Sequence, residues 1–351
     1  MNKRIVIMAG GTGGHVFPAL AVAEYMREQG WQVTWLGTAK GLESRVAPQY
    51  GIEIDYLAVA GLRGKGVLQK VSAVFKLMQA FIQAFVALKR RKPSVVLGMG
   101  GFAAAPGGLM AKLLGIPLVI HEQNRVPGTT NRLLAKLASR RLEAFPSSFD
   151  ASVNAECTGN PLRKSFNQAA LMVRDFNKPV LNVLIVGGSQ GAQVLNEIVP
   201  EAMAKLAAVK IMHQTGSAMY EQVAEVYRAR KIDADVKAFI DDMVSAYQWA
   251  DLMICRSGAM TVSEVSALGV PAIFIPLPGA IDDHQRANAS YLVSAGAGFV
   301  LEQQALTADS LADLVKTMLP KLAVISAAAK QCARLQATET VAAICMEEAG
   351  V

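Results

Sequence analysis

Short apolar runs alternate along the first half of the chain with segments in which apolar residues recur at helical spacing. The runs at residues 4–9, 32–36, 94–98 and 118–122 predict strands. The helical spacing directly after the first run predicts a helix over residues 15–29. This alternation is typical of a parallel sheet with crossover helices, so we predict an α/β fold.

The second half repeats this pattern after a seam of proline, glycine and serine at residues 145–163. Its predicted strands are residues 182–186, 210–214, 234–238, 252–255 and 272–275. Residues 327–348 predict a helical tail that packs back across the seam. Because 351 residues are enough for two domains with their own cores, we expect one domain at residues 1–159, completed by a helix at 337–351, and a second at residues 160–336.

A glycine-rich turn follows the first predicted strand of each half. These turns are residues 10–15 (GGTGGH) and residues 187–192 (GGSQGA). Glycine lets the backbone approach a bound group closely, and the next helix offers unpaired N–H groups at its positive end. One such turn also occurs where a strand and a helix merely pack tightly. Two turns in the same position favour phosphate binding.

Neither turn fits the common nucleotide-binding fingerprints. The dinucleotide pattern has a third glycine where this chain has Val16, and an acidic residue near Gly37 and Thr38, where none occurs. No Gly-Lys-Ser/Thr follows either turn, as a Walker loop requires. These departures disfavour an oxidoreductase. A third glycine cluster at residues 98–102 is either part of a phosphate-binding surface or a plain turn.

Polar residues follow several predicted strands, at the edge where open α/β sheets bind ligands. His15 opens the first helix, whose positive end disfavours imidazolium and keeps the ring neutral, as a general base requires. The run at residues 121–124 (HEQN) either caps the sheet through hydrogen bonds or binds a ligand. Arg163, beside the seam, is either a solvated side chain or a partner for a diphosphate.

Two further polar segments lie in the second half. In residues 256–264, Glu264 either accepts both hydroxyls of a ribose or interacts with the helix dipole. In residues 282–288, the adjacent acids Asp282 and Asp283 are weak evidence for a metal site. The four histidines and four cysteines show no metal-ligand spacing. We therefore expect no protein-bound metal, and cysteines that stay reduced.

The formal net charge of +7 suits phosphorylated substrates, an anionic membrane surface or nucleic acid. Because only 6% of residues are aromatic and no binding module appears, we expect no nucleic-acid partner. No apolar stretch reaches the roughly 20 residues that span a bilayer. Residues 67–88 combine an apolar helix face with basic neighbours, including the run at 89–92. We expect most of this stripe to pack on the sheet, and the exposed part of residues 62–85 to contact an anionic membrane.

Taken together, these motifs resemble the MurG family of peptidoglycan N-acetylglucosaminyltransferases. The resemblance covers essentially the whole chain in order, at residues 10–15, 121–124, 159–163, 187–192, 261–264 and 284–288. It implies a GT-B fold, with two Rossmann-like domains facing across a cleft. It also implies inverting transfer of N-acetylglucosamine from UDP-N-acetylglucosamine to the muramoyl sugar of undecaprenyl-linked lipid I, which gives lipid II, with no metal or other cofactor.

The resemblance assigns the UDP-sugar donor to the second domain. It implies that Ser189 and Gln190 contact the diphosphate, that the Ile240 backbone reads the uracil edge, that Glu264 holds the ribose and that residues 284–285 contact the sugar. The donor-binding residues it implies are Thr12, Gly13, Gly14, Asn124, Arg163, Ser189, Gln190, Ile240, Met260, Thr261, Glu264, His284 and Gln285.

The resemblance assigns the diphosphate of lipid I to the first domain. His15 is the expected base for the muramoyl hydroxyl, with Thr12 and Asn124 nearby. The acceptor-binding residues it implies are Gly11, Gly13, Gly14, Gly100 and Gly101.

The same resemblance implies a place in the cell. We expect peripheral attachment at the cytoplasmic face of the bacterial inner membrane, with other cell-wall synthesis proteins as further partners. Two alternatives stay open. A UDP-sugar epimerase of similar two-domain fold would act without a lipid acceptor, and a non-enzymatic nucleotide-sugar or phospholipid-binding module would bind without turnover.

Overall fold

The computed structural model describes residues 3–59, 67–188 and 192–351, and for residues 67–74 and residue 281 it describes the backbone alone. The chain divides into two compact units. The first comprises Met1–Arg163 and Arg334–Val351, and the second comprises Lys164–Ala333.

The first unit is built on a parallel sheet, which has seven strands within the described residues. The strands are β1 (Arg4–Met8), β2 (Gln32–Gly37), β3 (Glu53–Tyr56), β4 (Val95–Gly98), β5 (Leu118–Glu122), β6 (Arg140–Glu143) and β7 (Glu156–Cys157). Their order is β3-β2-β1-β4-β5-β6-β7. Because the pairing is parallel throughout, the carboxyl ends of these strands share one edge of the sheet.

Helices cover both faces of this sheet. They are α1 (Gly13–Glu28), α2 (Glu43–Gln49), α3 (Val67–Arg91), α4 (Ala104–Leu113) and α5 (Thr129–Leu134), together with the C-terminal helix Ala337–Glu348. In β1, Ile5 and Ile7 join one apolar cluster while Val6 and Met8 join another, as the alternation of a strand requires. Each buried side chain contributes roughly 1.5–3 kcal/mol. Burial on both faces therefore explains why the strand is an uninterrupted apolar run.

The second unit has a six-stranded parallel sheet within its described residues. Its strands are β8 (Leu181–Val186), β9 (Val209–Gln214), β10 (Ala234–Lys237), β11 (Leu252–Cys255), β12 (Ala272–Phe274) and β13 (Phe299–Val300), in the order β10-β9-β8-β11-β12-β13. Its helices are α6 (Lys164–Ala169), α7 (Gln193–Met203), α8 (Tyr220–Ala229), α9 (Met243–Trp249), α10 (Ala259–Leu268), α11 (His284–Ser294), α12 (Ala308–Met318) and α13 (Leu322–Gln331). The C-terminal helix of the first unit is therefore α14.

The α/β fold and every strand predicted from the sequence are confirmed, with bounds that differ by one residue at most. The sequence pattern missed β3, β6, β7 and β13. Of these, β3, β7 and β13 lie at sheet edges, where strands are short and need no apolar run on both faces. The predicted tail helix was wrong in one respect. Helix α13 ends at Gln331 and α14 begins at Ala337, because the two helices belong to different units.

The unit boundaries also differ from those we expected. Residues 160–163 and 334–336, expected in the second domain, lie in the first unit. Asn160 donates from Nδ2 to the carbonyl oxygen of Gln123 at 3.1 Å, and the Thr338 hydroxyl donates to the carbonyl oxygen of Leu162 at 3.0 Å. These contacts attach the seam to the first unit.

Candidate active site

The first glycine turn lies at the carboxyl end of β1 and packs directly against the third glycine cluster. Trp35 donates from Nε1 to the carbonyl oxygen of Ala9 at 2.8 Å, which holds the end of the strand. Gly101 has φ +82°, and a Cβ built there would lie 2.3 Å from the carbonyl oxygen of Gly10. A side chain at Gly101 is therefore sterically excluded. The close backbone approach explains the glycine whether or not a ligand binds.

A buried carboxylate supports this turn from inside the protein. Glu43 accepts hydrogen bonds from the Gly11 N–H at 3.0 Å and from both the N–H and the hydroxyl of Thr38 at 2.8 Å. A Cβ on Gly10 or on Gly41 would lie 2.7 Å or 2.1 Å from a Glu43 carboxylate oxygen. Sequence reasoning missed Glu43. The available signal in the sequence was the pair Gly10 and Gly41, which lack side chains and leave room for the Glu43 carboxylate.

The hydrogen bond of the Gly11 N–H limits which N–H groups of the turn can bind an anion. The Gly11 N–H donates to Glu43, and the N–H groups of His15 and Val16 turn back to the carbonyl oxygen of Thr12. The N–H groups that open α1 are those of Gly13 and Gly14. Of the glycines predicted to bind the acceptor, these two are the ones that present helix N-terminal donors.

His15 is half-buried near the start of α1. Its Nδ1 lies 2.6 Å from Oε1 of Gln123. A Cβ on Gly100 would lie 3.1 Å from Cε1 of the imidazole ring, so the third glycine cluster lies directly beside His15. The structure thus brings together the predicted base, one predicted acceptor-binding glycine and a residue of the 121–124 run.

The 121–124 run is mainly a cap on the sheet. His121, Glu122 and Gln123 are fully buried. Glu122 accepts hydrogen bonds from the Asn124 N–H at 2.9 Å and from the Gly128 N–H at 3.0 Å, which shapes the loop after β5. Asn124 is half-buried and is the member of the run in position to meet a ligand.

Arg163 also belongs to this unit. Its guanidinium carbon lies 5.7 Å from the centre of the Phe17 ring, on the first turns of α1. The domain boundary at residue 159 had placed Arg163 in the second domain, and that assignment was wrong. Its predicted contact with a diphosphate stays a prediction.

In the second unit, a cavity of about 660 Å³ opens at the carboxyl ends of β8 and β11. Of the predicted donor-binding residues, Thr261 and Gln285 line it. Met260, Ile240, Glu264 and His284 do not. Ser189 and Gln190 lie outside the described residues. Among the described residues, the lining consists of Val186, Gly187, Gly188, Ala192, Gln193, Val194, Glu197, Arg256, Gly258, Thr261, Leu277, Gln285 and Gln303.

Arg256 gives this cavity a cation that sequence reasoning did not single out. Its Nη1 donates to the carbonyl oxygen of Ile275 at 3.0 Å, and its Nη2 donates to Oε1 of Gln303 at 2.7 Å. Burial lowers the pKa of the Arg256 guanidinium from its ordinary value. Because these hydrogen-bond partners are neutral, they hold the guanidinium without cancelling its charge. A diphosphate would find a fixed positive group here.

Gln214, at the end of β9, connects two segments of the predicted donor site. Its Oε1 accepts from the Ile240 N–H at 3.0 Å, and its Nε2 donates to the carbonyl oxygen of Gly188 at 3.2 Å. The Ile240 N–H is therefore used within the protein. The backbone group of Ile240 that could read a uracil is its carbonyl oxygen.

Glu264 is oriented by a buried tyrosine. The Tyr247 hydroxyl donates to Oε2 of Glu264 at 2.9 Å, and its ring packs edge-on against Phe166 at 5.7 Å. Glu264 lies in the second turn of α10, which begins at Ala259. This fixed carboxylate suits hydroxyl recognition better than a dipole contact at the first turn.

The 282–288 cluster is held by its own hydrogen bonds. Gln285 accepts from the Leu277 N–H at 3.0 Å, and the buried Asn288 donates to the carbonyl oxygen of Ser257 at 3.2 Å. His284 is half-buried at the start of α11. Within residues 3–59, 67–188 and 192–351, no group of three or more histidine, cysteine or acidic side chains could hold a metal.

The outer face of α3 differs from the packing we expected. Ala80, Ala84 and Leu88 are buried on the sheet and Phe81 and Phe85 are half-buried, whereas four other large side chains form an exposed stripe. The expectation that most of the apolar stripe packs on the sheet was therefore wrong for Phe75, Met78 and Ile82, whereas Leu88 is buried as expected. Leu62 and Lys65 lie outside the described residues. The exposed α3 stripe consists of Phe75, Met78, Ile82 and Val86, which are 70%, 59%, 65% and 55% exposed.

More apolar side chains are exposed on neighbouring parts of the first unit, namely Phe102, Leu109, Leu113 and Leu133. Lys89 lies over the Phe85 ring at 4.9 Å, so basic and apolar groups are adjacent on α3. In the part of the chain that the structure describes, no helix has the length and hydropathy of a membrane span.

Comparison with known proteins covers both units. Residues 5–142 match the glycosyltransferase family 28 N-terminal domain, and residues 182–344 match the glycosyltransferase family 28 C-terminal domain. A relative from Methylococcus capsulatus, named UDP-N-acetylglucosamine--N-acetylmuramyl-(pentapeptide) pyrophosphoryl-undecaprenol N-acetylglucosamine transferase, is 55% identical over 357 residues, with 100% of each chain covered.

Solved structures agree. The crystal structure of Acinetobacter baumannii MurG is 42% identical with a TM-score of 0.84, and the match covers 98% of this chain and 99% of that chain. A UDP-GlcNAc 2-epimerase from Neisseria meningitidis has a TM-score of 0.66 at 13% identity, over 98% of this chain and 100% of that chain. The likeness to the epimerase shows the fold alone.

Proposed function

The chain belongs to glycosyltransferase family 28 and, within it, to the UDP-N-acetylglucosamine–N-acetylmuramyl-(pentapeptide) pyrophosphoryl-undecaprenol N-acetylglucosamine transferases, and from this premise we propose how its residues carry out the reaction. The protein is a glycosyltransferase with a GT-B fold. It transfers N-acetylglucosamine from UDP-N-acetylglucosamine to the muramoyl sugar of lipid I, forming lipid II. The observation that carries this function is the 55% identity over the whole length of the relative.

The second unit binds the donor. The diphosphate lies at the glycine turn, where Ser189 and Gln190 contact it, and the guanidinium of Arg256 in the adjoining cavity adds a positive charge. Glu264, held by Tyr247, accepts the ribose hydroxyls. The Ile240 carbonyl oxygen accepts the uracil N3–H.

The remaining donor contacts are made by polar side chains and by small residues. In the second unit, His284 and Gln285 contact the sugar hydroxyls, while Met260 and Thr261 lie beside the diphosphate and ribose. In the first unit, the donor-binding residues are Thr12, Gly13, Gly14, Asn124 and Arg163.

The first unit binds the acceptor. The N–H groups of Gly13 and Gly14 and the positive end of α1 bind the lipid diphosphate. Gly100 and Gly101 provide a surface without side chains that a bulky phosphorylated lipid can approach. Gly11 contributes its shape to the turn, because its N–H is engaged by Glu43.

The transfer is a single displacement at the anomeric carbon. The muramoyl hydroxyl oxygen forms the new bond on the face opposite UDP, and the bond to the UDP oxygen breaks with its electron pair. His15 takes the hydroxyl proton as the bond forms. Fixed positive groups at the diphosphate stabilise the charge that develops on departing UDP.

Membrane attachment is peripheral, through the exposed α3 stripe and its basic neighbours. Each lysine or arginine near an anionic surface contributes about 1 kcal/mol. The lipid acceptor lies in the membrane, so a transferase that binds it must meet the bilayer. We place this contact at the cytoplasmic face of the bacterial inner membrane, where other cell-wall synthesis proteins are available as partners.

The test uses UDP-N-acetylglucosamine labelled in the sugar, a water-soluble short-chain lipid I analogue and EDTA. Transfer of label to the lipid in the wild-type protein, with about a hundredfold or larger loss in His15→Ala, is the expected result. Full transfer in His15→Ala would remove His15 as the base and leave the transferase. Epimerised UDP-sugar with no labelled lipid would overturn the function.

A further inference from the structure

A chain of hydrogen bonds runs from His15 into the interior of the first unit. His15 Nδ1 lies 2.6 Å from Gln123 Oε1, Gln123 Nε2 lies 2.9 Å from His121 Nδ1, and His121 Nε2 lies 2.9 Å from the carbonyl oxygen of Gly159. His121 and Gln123 are fully buried, and His15 is half-buried. Because each imidazole and amide has distinct donors and acceptors, the positions of the protons can be worked out along the chain.

The buried end of this chain of hydrogen bonds determines which nitrogen of His121 is protonated. The carbonyl oxygen of Gly159 can only accept, so His121 Nε2 carries a proton. Burial lowers the pKa of His121 to about 4, so the ring is neutral near pH 7. A neutral ring with a proton on Nε2 has a lone pair on Nδ1, and His121 Nδ1 therefore accepts.

This acceptor fixes the orientation of the Gln123 amide. Its Nε2 donates to His121 Nδ1, and it also lies 2.9 Å from the carbonyl oxygen of His121, which again requires a donor. The reversed amide would set an oxygen against a carbonyl oxygen and against a lone pair. Because the group is buried, water could not relieve that repulsion.

The amide orientation in turn fixes the tautomer of His15. Gln123 Oε1 can only accept, so His15 Nδ1 carries the proton and Nε2 keeps its lone pair. In water, neutral histidine prefers the opposite tautomer, with the proton on Nε2. The interior of the first unit thus selects the form of His15 that can accept a proton at Nε2.

We propose that Gln123, supported by His121, is a positioning residue that holds His15 in its Nδ1–H tautomer and so keeps Nε2 available to accept the proton of the acceptor hydroxyl. The proposal rests on the role of His15 as the base in the proposed function. Gln123 Oε1 accepts from Nδ1–H both before and after the proton transfer, so the ring keeps its place throughout. A neutral amide stabilises the imidazolium less than a carboxylate would, so the proton is readily released afterwards.

The first test is spectroscopic and independent of turnover. The whole protein is labelled with ¹⁵N in its histidine rings, and long-range ¹H–¹⁵N spectra at neutral pH report which nitrogen of each ring is protonated. The chain has only four histidines, so single variants assign the signals. We expect His15 protonated at Nδ1 in the wild-type protein, and a shift towards Nε2–H in Gln123→Leu. Protonation of wild-type His15 at Nε2 would overturn the proposal.

The second test separates positioning from structure. With the soluble acceptor, Gln123→Leu should lower kcat about tenfold to a hundredfold and leave KM for UDP-N-acetylglucosamine within about twofold. Gln83→Leu is the matched control, since Gln83 accepts from the Ala58 N–H at 2.7 Å in the same unit and does not contact the site. An equal loss of kcat in both variants would indicate a structural role and overturn the proposal.

A conservative variant sharpens the result. In Gln123→Glu, one carboxylate oxygen still accepts from His15 Nδ1–H, while the other replaces the donor to His121 Nδ1 and to the His121 carbonyl oxygen. This variant is therefore compared by its pH profile and not by recovery of kcat. The carboxylate also favours the imidazolium, so the acid limb of the kcat–pH profile should move to higher pH. An unmoved acid limb would contradict contact between residue 123 and the base. Full activity in His15→Ala identifies a different failure, that of the base assignment itself.

Discussion

The hydroxyl of Tyr247 donates a hydrogen bond of 2.9 Å to Oε2 of Glu264. Tyr247 is almost fully buried, whereas Glu264 is half-buried on the next helix of the second unit. The tyrosine therefore helps to fix the orientation of this carboxylate.

In Tyr247→Phe, the Kd for UDP should rise about tenfold, because the Glu264 carboxylate is no longer held in place and must be ordered when UDP binds. Titration calorimetry with UDP measures it. Tyr227→Phe is the matched control, since the Tyr227 hydroxyl bonds Nδ1 of His213 at 3.0 Å elsewhere in the unit. An unchanged Kd in Tyr247→Phe would show that Tyr247 does not orient a carboxylate that binds the ribose, the role we propose for Glu264.

Gln214→Leu should weaken UDP binding by about tenfold or more, because it releases both the Gly188 carbonyl and the Ile240 N–H from a shared partner. The same calorimetric titration measures the effect. Asn196→Leu provides the comparison, since it also removes a buried amide, one that bonds the carbonyl oxygen of Thr215 at 3.0 Å. Equal losses of affinity in the two variants would point to general destabilisation instead.

Glu43→Gln should lower the free energy of unfolding of the first unit by about 2–4 kcal/mol and reduce kcat. Gly11 donates to one oxygen of Glu43 and Thr38 to the other, and the amide nitrogen of glutamine replaces one of these acceptors, so one of the two donors loses its partner. Urea unfolding and turnover with the soluble acceptor check the two effects. Glu143→Gln, which affects a loop away from the turn, should destabilise similarly and spare kcat. A stable, active Glu43→Gln protein would contradict the role of Glu43 in supporting the first glycine turn.

Mild acid should destabilise both units. Burial lowers the pKa of His121 to about 4 and that of His213 to about 3, from an ordinary value of 6.5. Below pH 6.5 these histidines bind protons in the unfolded chain but not in the folded chain. The free energy of unfolding therefore falls as the pH falls, until the pKa of the folded state is reached. At pH 5 we expect each unit to lose about 2 kcal/mol relative to pH 7. Urea unfolding at both pH values tests this, and a free energy that stays constant would contradict it.

Ile82→Glu should reduce binding to vesicles that contain anionic lipid by about tenfold or more, because it sets a charge in the middle of the exposed α3 stripe. Flotation of the protein with vesicles measures binding, and kcat with the soluble acceptor should not change. Val324→Glu is the control, since Val324 is 71% exposed in the second unit, against 65% for Ile82. Equal loss in both variants would mean that charge, and not this stripe, controls attachment.

Local patterns predicted most of this fold because a strand buried on both faces must be apolar throughout. The run around Ile7 could be read from the sequence for that reason. The strand Glu53–Tyr56 could not, since an edge strand tolerates charged and polar residues. The separation of α13 from α14 could not be predicted from local sequence either, because it depends on the unit that each helix packs against.

The parts of the candidate site that could be predicted are those formed by residues adjacent in sequence. The glycine turns and His15 could be identified from the sequence alone. Glu43, Gln214 and Tyr247 do not, because each acts on a residue that is distant in sequence. A polar residue at the end of a buried strand was the usable signal for Gln214, as it was for Gln123.

The return of α14 to the first unit has a consequence for biosynthesis. Val341 and Cys345 of this helix belong to the same apolar cluster as Leu20 of α1. The second unit, at residues 164–333, is continuous in the chain and has all its residues before α14 is made. On the ribosome, the unit whose synthesis starts first is therefore completed last, and until then α14 does not cover its side of that unit's core.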